Sequence, residues 1–269
     1  NSDSSRDQTK AATNRGSYKF YHKNCMKLIP IKIISLITVT TVMAVQGATP
    51  VFLWAKAASS PSHGNFATGI GVDANTNVYV CGNFIGDATF GGHAVSAHNI
   101  TNETDATDIY FDTDLYLAKW NCNGIAQWAK SAGGSLQGYT AQEGDNPDQA
   151  TGIAVTSSGE AFICGWSGAY HDVYFGDTLV NRGAVSDYGF FARFGTDGAF
   201  LGAYYKGGFI PQAIALDNAH NAYMFGVSGG PYMMFASYSP YGANLRSGKN
   251  TSLTPYPVEA LGIAVDAAG

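Results

Sequence analysis

The stretch FATGIGVDANTNVYVCGNF at Phe66–Phe84 decides the fold, because the chain repeats it three more times. The repeats are QATGIAVTSSGEAFICGWS at Gln149–Ser167, PQAIALDNAHNAYMFGVS at Pro211–Ser228 and a shorter EALGIAVDAAG at Glu259–Gly269. Each complete copy has a small apolar run, a polar or glycine-containing turn, and a β-branched or aromatic run with a glycine near its end. Two such runs around a turn predict a β-hairpin. Self-similarity at a period of some tens of residues indicates a repeat architecture.

The strands of the repeat recur while the loops between them vary in length. The isoleucine of the first strand lies at Ile70, Ile153, Ile214 and Ile263, at spacings of 83, 61 and 49 residues. Loops that vary on a constant framework are typical of a scaffold that carries binding surfaces.

Each complete unit predicts four consecutive antiparallel strands. The third strands are LYLAKW (Leu115–Trp120), FFARF (Phe190–Phe194) and MFASY (Met234–Tyr238), and the fourth strands are AQWAK, AFLGAYY and ANLRS. Alternating apolar positions such as Leu115 and Leu117 predict a sheet with one better-buried face. Four such strands make one blade of a β-propeller, with units near residues 66–134, 149–208 and 211–248 and a partial one at 259–269. We therefore expect an all-β chain that holds an incomplete ring, because propellers have about 4 to 8 blades.

An additional fourth strand is predicted before the first unit. FLWAKAAS at Phe52–Ser59 matches IAQWAKSAG at Ile125–Gly133 but belongs to no complete unit. A ring whose last blade takes its outer strand from the start of the chain would use such a segment, and closure in this way removes a free sheet edge.

Composition agrees with a β-rich globular protein. The 269 residues are 45% hydrophobic and only 13% charged, with 33 glycines. Frequent glycine and aromatic residues suit short strands joined by tight turns. No long amphipathic helical pattern follows residue 50, so the all-β class is favoured.

The beginning of the chain predicts export. Residues 1–25 are polar, basic and patternless, which indicates a disordered leader or upstream translated sequence. Residues 26–48 combine a basic segment, a 13-residue apolar run IISLITVTTVMAV and small residues, the form of a secretory signal peptide. A membrane anchor needs about 20 apolar residues, so no membrane span is expected after signal removal. We expect residues 49–269 to be the repeat domain, in a secreted, periplasmic or cell-surface protein, and the chain to be part of a longer array.

Charge excludes one class of partner. Seven of the 15 Lys and Arg residues and two of the 20 Asp and Glu residues precede residue 48, which leaves 8 basic and 18 acidic residues after it. A surface with an excess of ten negative charges repels phosphate backbones, so no nucleic acid is expected as a partner.

The motif order resembles a known repeat family. GIxVDxxxNVYVxGxF lies at Gly69–Phe84, FGG at Phe90–Gly92, an acidic-aromatic segment at Asp114–Lys119, and NGxxWAKxxGG at Asn123–Gly134. This pattern is similar to the bacterial β-propeller repeat of the SBBP type, and the likeness covers most of residues 50–269, although unit three lacks the FG segment. The resemblance implies a large, exported or surface-attached bacterial protein with few assigned activities. It implies a fold and a cellular location and says little about a chemical activity.

Two acidic insertions are the loops in which specificity could lie. HNITNETDATDIYFDT at His98–Thr113 and SLQGYTAQEGDNPDQ at Ser135–Gln149 are longer than their counterparts in other units. Acid-rich loops could hold Ca²⁺ through several oxygen ligands. Neither insertion has D-x-D-x-D-G spacing, so solvated loops are the favoured interpretation and no cofactor is predicted.

The segment Asp73–Asn77 comes closest to a calcium loop, with oxygen side chains at alternate positions. It falls in a hairpin turn, where Asp and Asn serve turn geometry. Its counterparts at 156–160 and 217–221 do not preserve the oxygens, so we interpret the segment as a turn.

Other candidate site residues also have structural interpretations. Cys81 and Cys164 share one position of the repeat, where the third copy has Phe225, which indicates an apolar packing position. Of the four cysteines, Cys25 lies before the predicted signal peptide, which leaves these two and Cys122. Their odd number disfavours a disulfide framework, and the absence of a C-x-x-C pair disfavours a metal site. The remaining candidates are the loop residues His93, His98 and His171-Asp172 and the tryptophans Trp54, Trp120, Trp128 and Trp166. Trp54 and Trp128 are equivalent positions of a fourth strand, so packing is favoured over sugar stacking.

Two interpretations of function remain, and no catalytic, cofactor-binding or metal residue is predicted. The first is a non-catalytic exported propeller that binds or scaffolds a protein or carbohydrate ligand, because a fold alone does not confer activity. The second is a propeller enzyme, either a polysaccharide lyase, a glycosidase or a quinoprotein-like oxidoreductase, with its site at the mouth of the channel. Carboxylate pairs for glycoside chemistry meet in space and are not visible in sequence.

Overall fold

The computed structural model describes residues 53–59, 64–97, 99–102, 105–111, 113–135, 148–168, 172–181, 188–228, 232–249 and 262–266. The chain divides into two units, Asn1–Leu53 and Trp54–Gly269, and every described residue except Leu53 belongs to the second. The described residues contain strands and turns and no helix, hence no helix that is long and apolar enough to span a membrane. The predicted all-β class is confirmed for these residues. The predicted leader at 1–25 and signal peptide at 26–48 lie outside them.

The strands are β1 (Ala58–Ser59), β2 (Asn65–Val72), β3 (Val78–Ile85), β4 (Asp87–Phe90), β5 (His93–Ser96), β6 (Asn99–Asn102), β7 (Asp105–Phe111), β8 (Thr113–Trp120), β9 (Ala126–Ser135), β10 (Gln149–Val155), β11 (Ala161–Ser167), β12 (Asp172–Phe175), β13 (Thr178–Asn181), β14 (Tyr188–Phe194), β15 (Phe200–Gly207), β16 (Ile210–Leu216), β17 (Ala222–Ser228), β18 (Tyr232–Tyr238) and β19 (Asn244–Lys249).

Three four-stranded antiparallel units follow one another along the chain. Unit one is β2-β3-β8-β9, unit two is β10-β11-β14-β15, and unit three is β16-β17-β18-β19, each in sheet order. In every unit the four strands are neighbours in the order in which they occur in the sequence. The predicted first to fourth strands of all three units are therefore confirmed.

Strand one of each unit carries a β-bulge at the same place. In β2 the register shifts between Ala67 and Gly69, and β10 and β16 shift at the equivalent positions. The bulge brings strand one so close to strand two that a Cβ atom on Gly82 would overlap the carbonyl oxygen of Phe66. The equivalent pairs are Gly165 with Gln149 and Gly226 with Ile210. The recurring glycine of strand two is thus required by close backbone approach.

A short hairpin between strands two and three reaches back to the preceding fourth strand. The hairpin β12-β13 of unit two pairs with β9, with Phe175 opposite Ala132. The hairpin β4-β5 of unit one pairs in the same way with β1, with Phe90 opposite Ala58. Because Ala58 and Ala132 are equivalent in the two matching sequences, β1 occupies the position of a fourth strand, as the sequence predicted.

Successive units pack face to face, with their first strands against each other. A methyl group on Gly69 would lie 2.9 Å from Cγ2 of Ile153, and one on Gly71 would lie 2.5 Å from Cγ2 of Val155. The residues of β2 that lack side chains therefore leave the room that the branched side chains of β10 occupy.

One expectation about burial was wrong. The alternation of Leu115 and Leu117 predicted a single better-buried face, but both faces of β8 are buried. Leu115 and Leu117 pack toward unit two, whereas Tyr116 and Trp120 pack toward the β4-β5 hairpin. A central strand with a neighbour on each face takes apolar or aromatic residues at every position, so alternation does not identify a solvent face here.

Candidate functional site

The carboxylate of Asp73 organises the turn between the first two strands of unit one. Its Oδ1 accepts hydrogen bonds from the backbone N–H groups of Asn75 and Asn77, both at 2.9 Å, and its Oδ2 accepts one from the side-chain amide of Asn77 at 2.7 Å. Asp73 is buried. The interpretation of Asp73–Asn77 as a turn is confirmed, because N–H donors of the turn itself occupy both carboxylate oxygens.

Unit three repeats this arrangement, which corrects the expectation that the oxygens are not preserved there. Oδ1 of Asp217 accepts 2.8 Å bonds from the backbone N–H groups of Ala219 and Asn221, and Oδ2 accepts from the Asn221 amide and the Tyr223 hydroxyl. Burial opposes ionisation of Asp217, but these hydrogen bonds hold the pKa of its carboxyl below the ordinary value. Of the three oxygen-bearing positions in this turn, only the middle one lacks an oxygen side chain in unit three, because Ala219 stands where unit one has Asn75.

Tyr79 joins this turn to the next unit. Its hydroxyl lies 3.1 Å from Oδ2 of Asp73 and 2.9 Å from the carbonyl oxygen of Gly159 in unit two. Burial raises the pKa of Tyr79, and the charge and hydrogen bond of Asp73 raise it further. The Tyr79 hydroxyl therefore stays protonated and can donate a hydrogen bond. Nearby, the backbone N–H of Ala74 donates to the carbonyl of Ser157 at 3.2 Å.

A threonine at the bulges of units one and two makes a second bond between units. Oγ1 of Thr68 donates to the carbonyl of Ala150 at 2.7 Å, and Oγ1 of Thr151 donates to the carbonyl of Pro211 at 2.7 Å. Each threonine therefore stabilises the contact of its own first strand with the first strand of the following unit.

The cysteines of strand two are packing residues, as predicted. Cys81 and Cys164 are free and fully buried. Burial raises the pKa of both thiols to about 12, with partial opposition from the hydroxyls of Thr68 and Thr151. Neither thiol ionises near neutral pH. Cys122 is less buried and lies in a turn.

Lys119 is engaged at the boundary between units one and two. Its Nζ donates to the carbonyl of Thr196 at 3.0 Å and lies 4.9 Å from the centre of the Tyr79 ring. Burial lowers the pKa of Lys119, while the carboxylates of Asp73 and Asp197 oppose that shift.

Arg193 holds the equivalent position in strand three of unit two. Its Nη2 contacts both carboxylate oxygens of Glu160, at 3.0 and 3.1 Å. Its guanidinium lies 5.5 Å from the centre of the Tyr241 ring in unit three. Both cations are therefore committed to contacts that hold the scaffold together.

The two fourth-strand tryptophans also serve packing, as predicted. Nε1 of Trp54 donates to the carbonyl of Cys122 at 3.0 Å, and Nε1 of Trp128 donates to the carbonyl of Thr196 at 3.1 Å. The acceptors are equivalent positions in the turn between strands three and four of the following unit. Trp120 is buried against Phe90, and Trp166 is half-buried in β11.

Of the candidate histidines, the structure describes His93. His93 is in β5 opposite Phe90, and Asp172 begins β12 opposite Ser135. His98 and His171 lie outside the described residues. Across the part of the chain that the structure describes, no three His, Cys, Asp or Glu side chains form a group able to hold a metal ion. That no catalytic, cofactor or metal residue exists stays a prediction.

The first acidic insertion forms a hairpin of its own. Among the described residues, strands β6 and β7 form a two-stranded sheet that runs from Asn99 opposite Phe111 to Asn102 opposite Asp105. Most of the second insertion, residues 136–147, lies outside the described residues. Its end returns to unit one, where the backbone N–H of Asp148 donates to the carbonyl of Thr113 at 2.7 Å.

A groove of about 430 Å³ lies on the side where the hairpins cover the fourth strands. Val95 of β5, Lys130 of β9, Phe175 of β12 and Phe200 of β15 are among its lining residues. The groove combines apolar walls with one cationic side chain, and it lies between the hairpins of two successive units.

No protein-family model matches the chain, and no curated protein matches it significantly. The resemblance to the SBBP-type repeat thus stays a prediction that rests on its motifs.

Sequence reasoning missed several residues that connect the units. Threonine occupies the same position in the first two aligned copies, at Thr68 and Thr151, and the pattern D-x-x-x-N-x-Y occurs at both Asp73–Tyr79 and Asp217–Tyr223. Both signals are visible once the repeats are aligned. The alignment does not identify the hydrogen-bond acceptors of Thr68 and Thr151, because these are backbone carbonyl groups, which every residue possesses.

Proposed function

We propose that the chain is part of a bacterial, exported β-propeller that acts as a non-catalytic binding or scaffolding module at the cell surface or outside the cell. The observation that carries the proposal is the use of the recurring polar side chains. Asp73, Tyr79, Thr68 and Lys119 all bond to their own turn or to the next unit. Their bonding is that of a rigid framework, and specificity is then assigned to the loops.

The propeller architecture is supported by the relation between units. Each unit is a four-stranded antiparallel sheet, and the contact of one first strand with the next recurs at both boundaries between the three units. Ile153 packs on Gly69 and Ile214 lies near Gly152, so the first strands stay adjacent from unit to unit. Sheets that stack with their first strands together are the arrangement by which blades build a ring.

The β6-β7 hairpin is the proposed ligand-binding part. It interrupts unit one between β5 and β8, a position that unit two spans with only residues 182–187. Its sequence holds Glu103, Asp105 and Asp108 in a short stretch. A protein or carbohydrate that carries amino groups fits this charge, because opposite potentials favour encounter.

Replacement of residues 98–112 by the six residues 182–187 tests the assignment. The variant keeps the four strands of unit one and removes the acidic hairpin. We expect the full chain to be retained by immobilised chitosan, an amino polysaccharide, and the variant to lose at least about tenfold in affinity at unchanged melting temperature. In a control chain, residues 99–111 are placed in scrambled order, which leaves the net charge unchanged. Comparison with the full chain then shows whether binding depends on the order of these residues or on their charge alone. Equal retention of the full chain and the shortened chain would contradict the proposal.

The proposed export of the protein is tested separately. An epitope-tagged chain expressed in a bacterial host should appear outside the inner membrane, and in surface-attached form it should be digested by protease added to intact cells. Retention of the tag in the cytoplasm, with residues 26–48 still attached, would contradict export.

A further inference from the structure

The outer edge of β9 is covered by another strand along only part of its length. β12 pairs with residues 132–135, where Phe175 lies opposite Ala132. Among the described residues, no strand pairs with the outer side of residues 126–131. The edge of a sheet presents a row of backbone N–H and C=O groups that can pair with a further extended strand. This part of β9 therefore presents a free pairing edge at the boundary between units one and two.

The groove of about 430 Å³ follows this free edge. Ala129, Lys130 and Ser131 of β9 all line it, and successive side chains of a strand point to opposite faces. Ala129 packs against the cluster that contains Val95 of β5. Lys130 lies on the other face, since a methyl group on Gly198 of unit two would be 3.0 Å from its Cε. The groove thus runs around the edge of β9, between β5 and the turn from β14 to β15.

The end of β12 closes the groove on one side. Phe175 and Gly176 are among its lining residues. Gly176 has a φ of 58°, and there the chain leaves β9 and turns into β13. A strand placed in the groove therefore continues the line of β12 along β9. The volume is in the range of pockets that hold small ligands, so the groove fits an extended segment of a few residues.

Charge indicates what such a segment carries. Lys130 is exposed, and its Nζ has no hydrogen-bond or ion-pair partner among the described residues. It is also the only ionisable side chain among the described residues that line the groove. A residue directly opposite Lys130 in an antiparallel strand has its side chain on the same face, with the Cβ atoms about 4.5–5.5 Å apart. An acidic side chain at that position pairs with the ammonium group, and its two neighbours face Val95 of β5.

We propose that this groove binds an extended peptide segment of another protein, which pairs with residues 129–131 of β9 and places an acidic side chain opposite Lys130. The mode is the addition of a strand to a sheet edge, in which backbone hydrogen bonds give affinity and alternate side chains give specificity. The groove lies outside the β6-β7 hairpin, so the inference does not depend on the ligand proposed for that hairpin.

Isothermal titration of the full chain with the blocked peptide Thr-Val-Asp-Val-Thr tests the charge pair. The peptide Thr-Val-Asn-Val-Thr is the uncharged comparison and should bind at least about threefold more weakly. Lys130→Met retains most of the stem of the side chain and should abolish this preference. Lys206→Met removes a lysine of β15 outside the groove and is the matched control, which should preserve it. Absence of binding by both peptides, or a preference that survives Lys130→Met, overturns the proposal.

N-methylated peptides test the strand pairing. In an extended strand, alternate backbone N–H groups point to the same side, so only one set faces β9. One peptide carries an N-methyl group on its Asp, and a second carries N-methyl groups on both Val residues. We expect one of the two to lose binding and the other to retain it. Equal retention of both would overturn the addition of a strand.

A third set of measurements places the peptide in the groove. Ala94 of β5 is exposed and lines the groove, so Ala94→Trp should fill it and abolish binding. The chain in which residues 182–187 replace residues 98–112 should bind the peptide as the full chain does. Unchanged binding by Ala94→Trp, or loss of binding in the shortened chain, overturns the placement. Free glucuronate that competes as well as the peptide would assign the groove to anionic sugars and overturn the proposal too.

Discussion

The hydroxyl of Thr68 donates a 2.7 Å hydrogen bond to the carbonyl of Ala150, across the boundary between units one and two. Thr68 lies at the bulge of β2, where the strand departs from regular pairing with β3. The bulge turns the hydroxyl toward the next sheet, so a local irregularity of one unit becomes a contact to its neighbour. Thr151 repeats the bond to Pro211.

Thr68→Val should therefore destabilise the boundary between units. Valine keeps the shape of the side chain but cannot donate, and the Ala150 carbonyl loses its side-chain partner. We expect a fall of about 1 kcal/mol in the free energy of unfolding, measured by urea denaturation. Thr68→Ser, which retains the hydroxyl, is the control and should lose clearly less. A valine variant as stable as the native chain would show that the bond contributes nothing.

Gly82→Ala should be far more damaging than its small volume suggests. The added methyl group would overlap the carbonyl of Phe66 and lie 2.8 Å from the Tyr116 hydroxyl, and backbone cannot move as a side chain can. We expect a loss of about 3 kcal/mol or more. Gly248→Ala in β19, where nothing lies within 4 Å, is the matched control and should change stability little. Thermal unfolding of the two variants measures the contrast, and similar melting temperatures would contradict the close approach.

The buried thiols predict an alkaline loss of stability. Cys81 and Cys164 have pKa values raised to about 12 in the folded chain, against 9.0 for a free thiol. Above pH 9 the unfolded state releases these protons while the folded state retains them. The stability from the raised pKa values is therefore fully present below pH 9 and is lost as pH rises toward 12. Denaturant melts from pH 8 to 11 should show this fall, and a Cys81→Ala, Cys164→Ala double variant should show less of it.

Thiol labelling provides an independent measurement of the same arrangement. In a Cys25→Ser chain at pH 8, a water-soluble disulfide reagent should modify Cys122 and leave Cys81 and Cys164 unmodified until denaturant is added, because both are fully buried. Rapid labelling of either buried thiol in native buffer would contradict their placement.

The sequence predicted the strands of each unit and their order because turn glycines and β-branched runs are local signals. It also identified the extra fourth strand, since Trp54 and Trp128 share one sequence context. The faces of β8 were predicted wrongly, because burial depends on which sheets stack, and stacking has no local signal. The polar contacts between units were missed for a related reason: Thr68 and Lys119 bond to backbone carbonyls, which every residue possesses.

The carbonyl of Thr196 provides a test of how two such contacts combine. It accepts hydrogen bonds from Nζ of Lys119 at 3.0 Å and from Nε1 of Trp128 at 3.1 Å. Trp128→Phe alone should cost about 1 kcal/mol, because the ring remains and Lys119 still satisfies the acceptor. In a Lys119→Met background the same change leaves the carbonyl without either donor. The double variant should therefore lose more than the sum of the two single variants, by about 0.5 kcal/mol or more.

A double-mutant cycle from urea denaturation measures this coupling. Tyr241→Phe, which removes an exposed hydroxyl in the equivalent turn of unit three, is the control and should couple with neither change. Strict additivity of Trp128→Phe and Lys119→Met would mean that solvent replaces the lost donors at Thr196. In that case the boundary between units one and two would depend on apolar packing, in which Leu115 and Leu117 of unit one share a core with Ile163 and Phe190 of unit two.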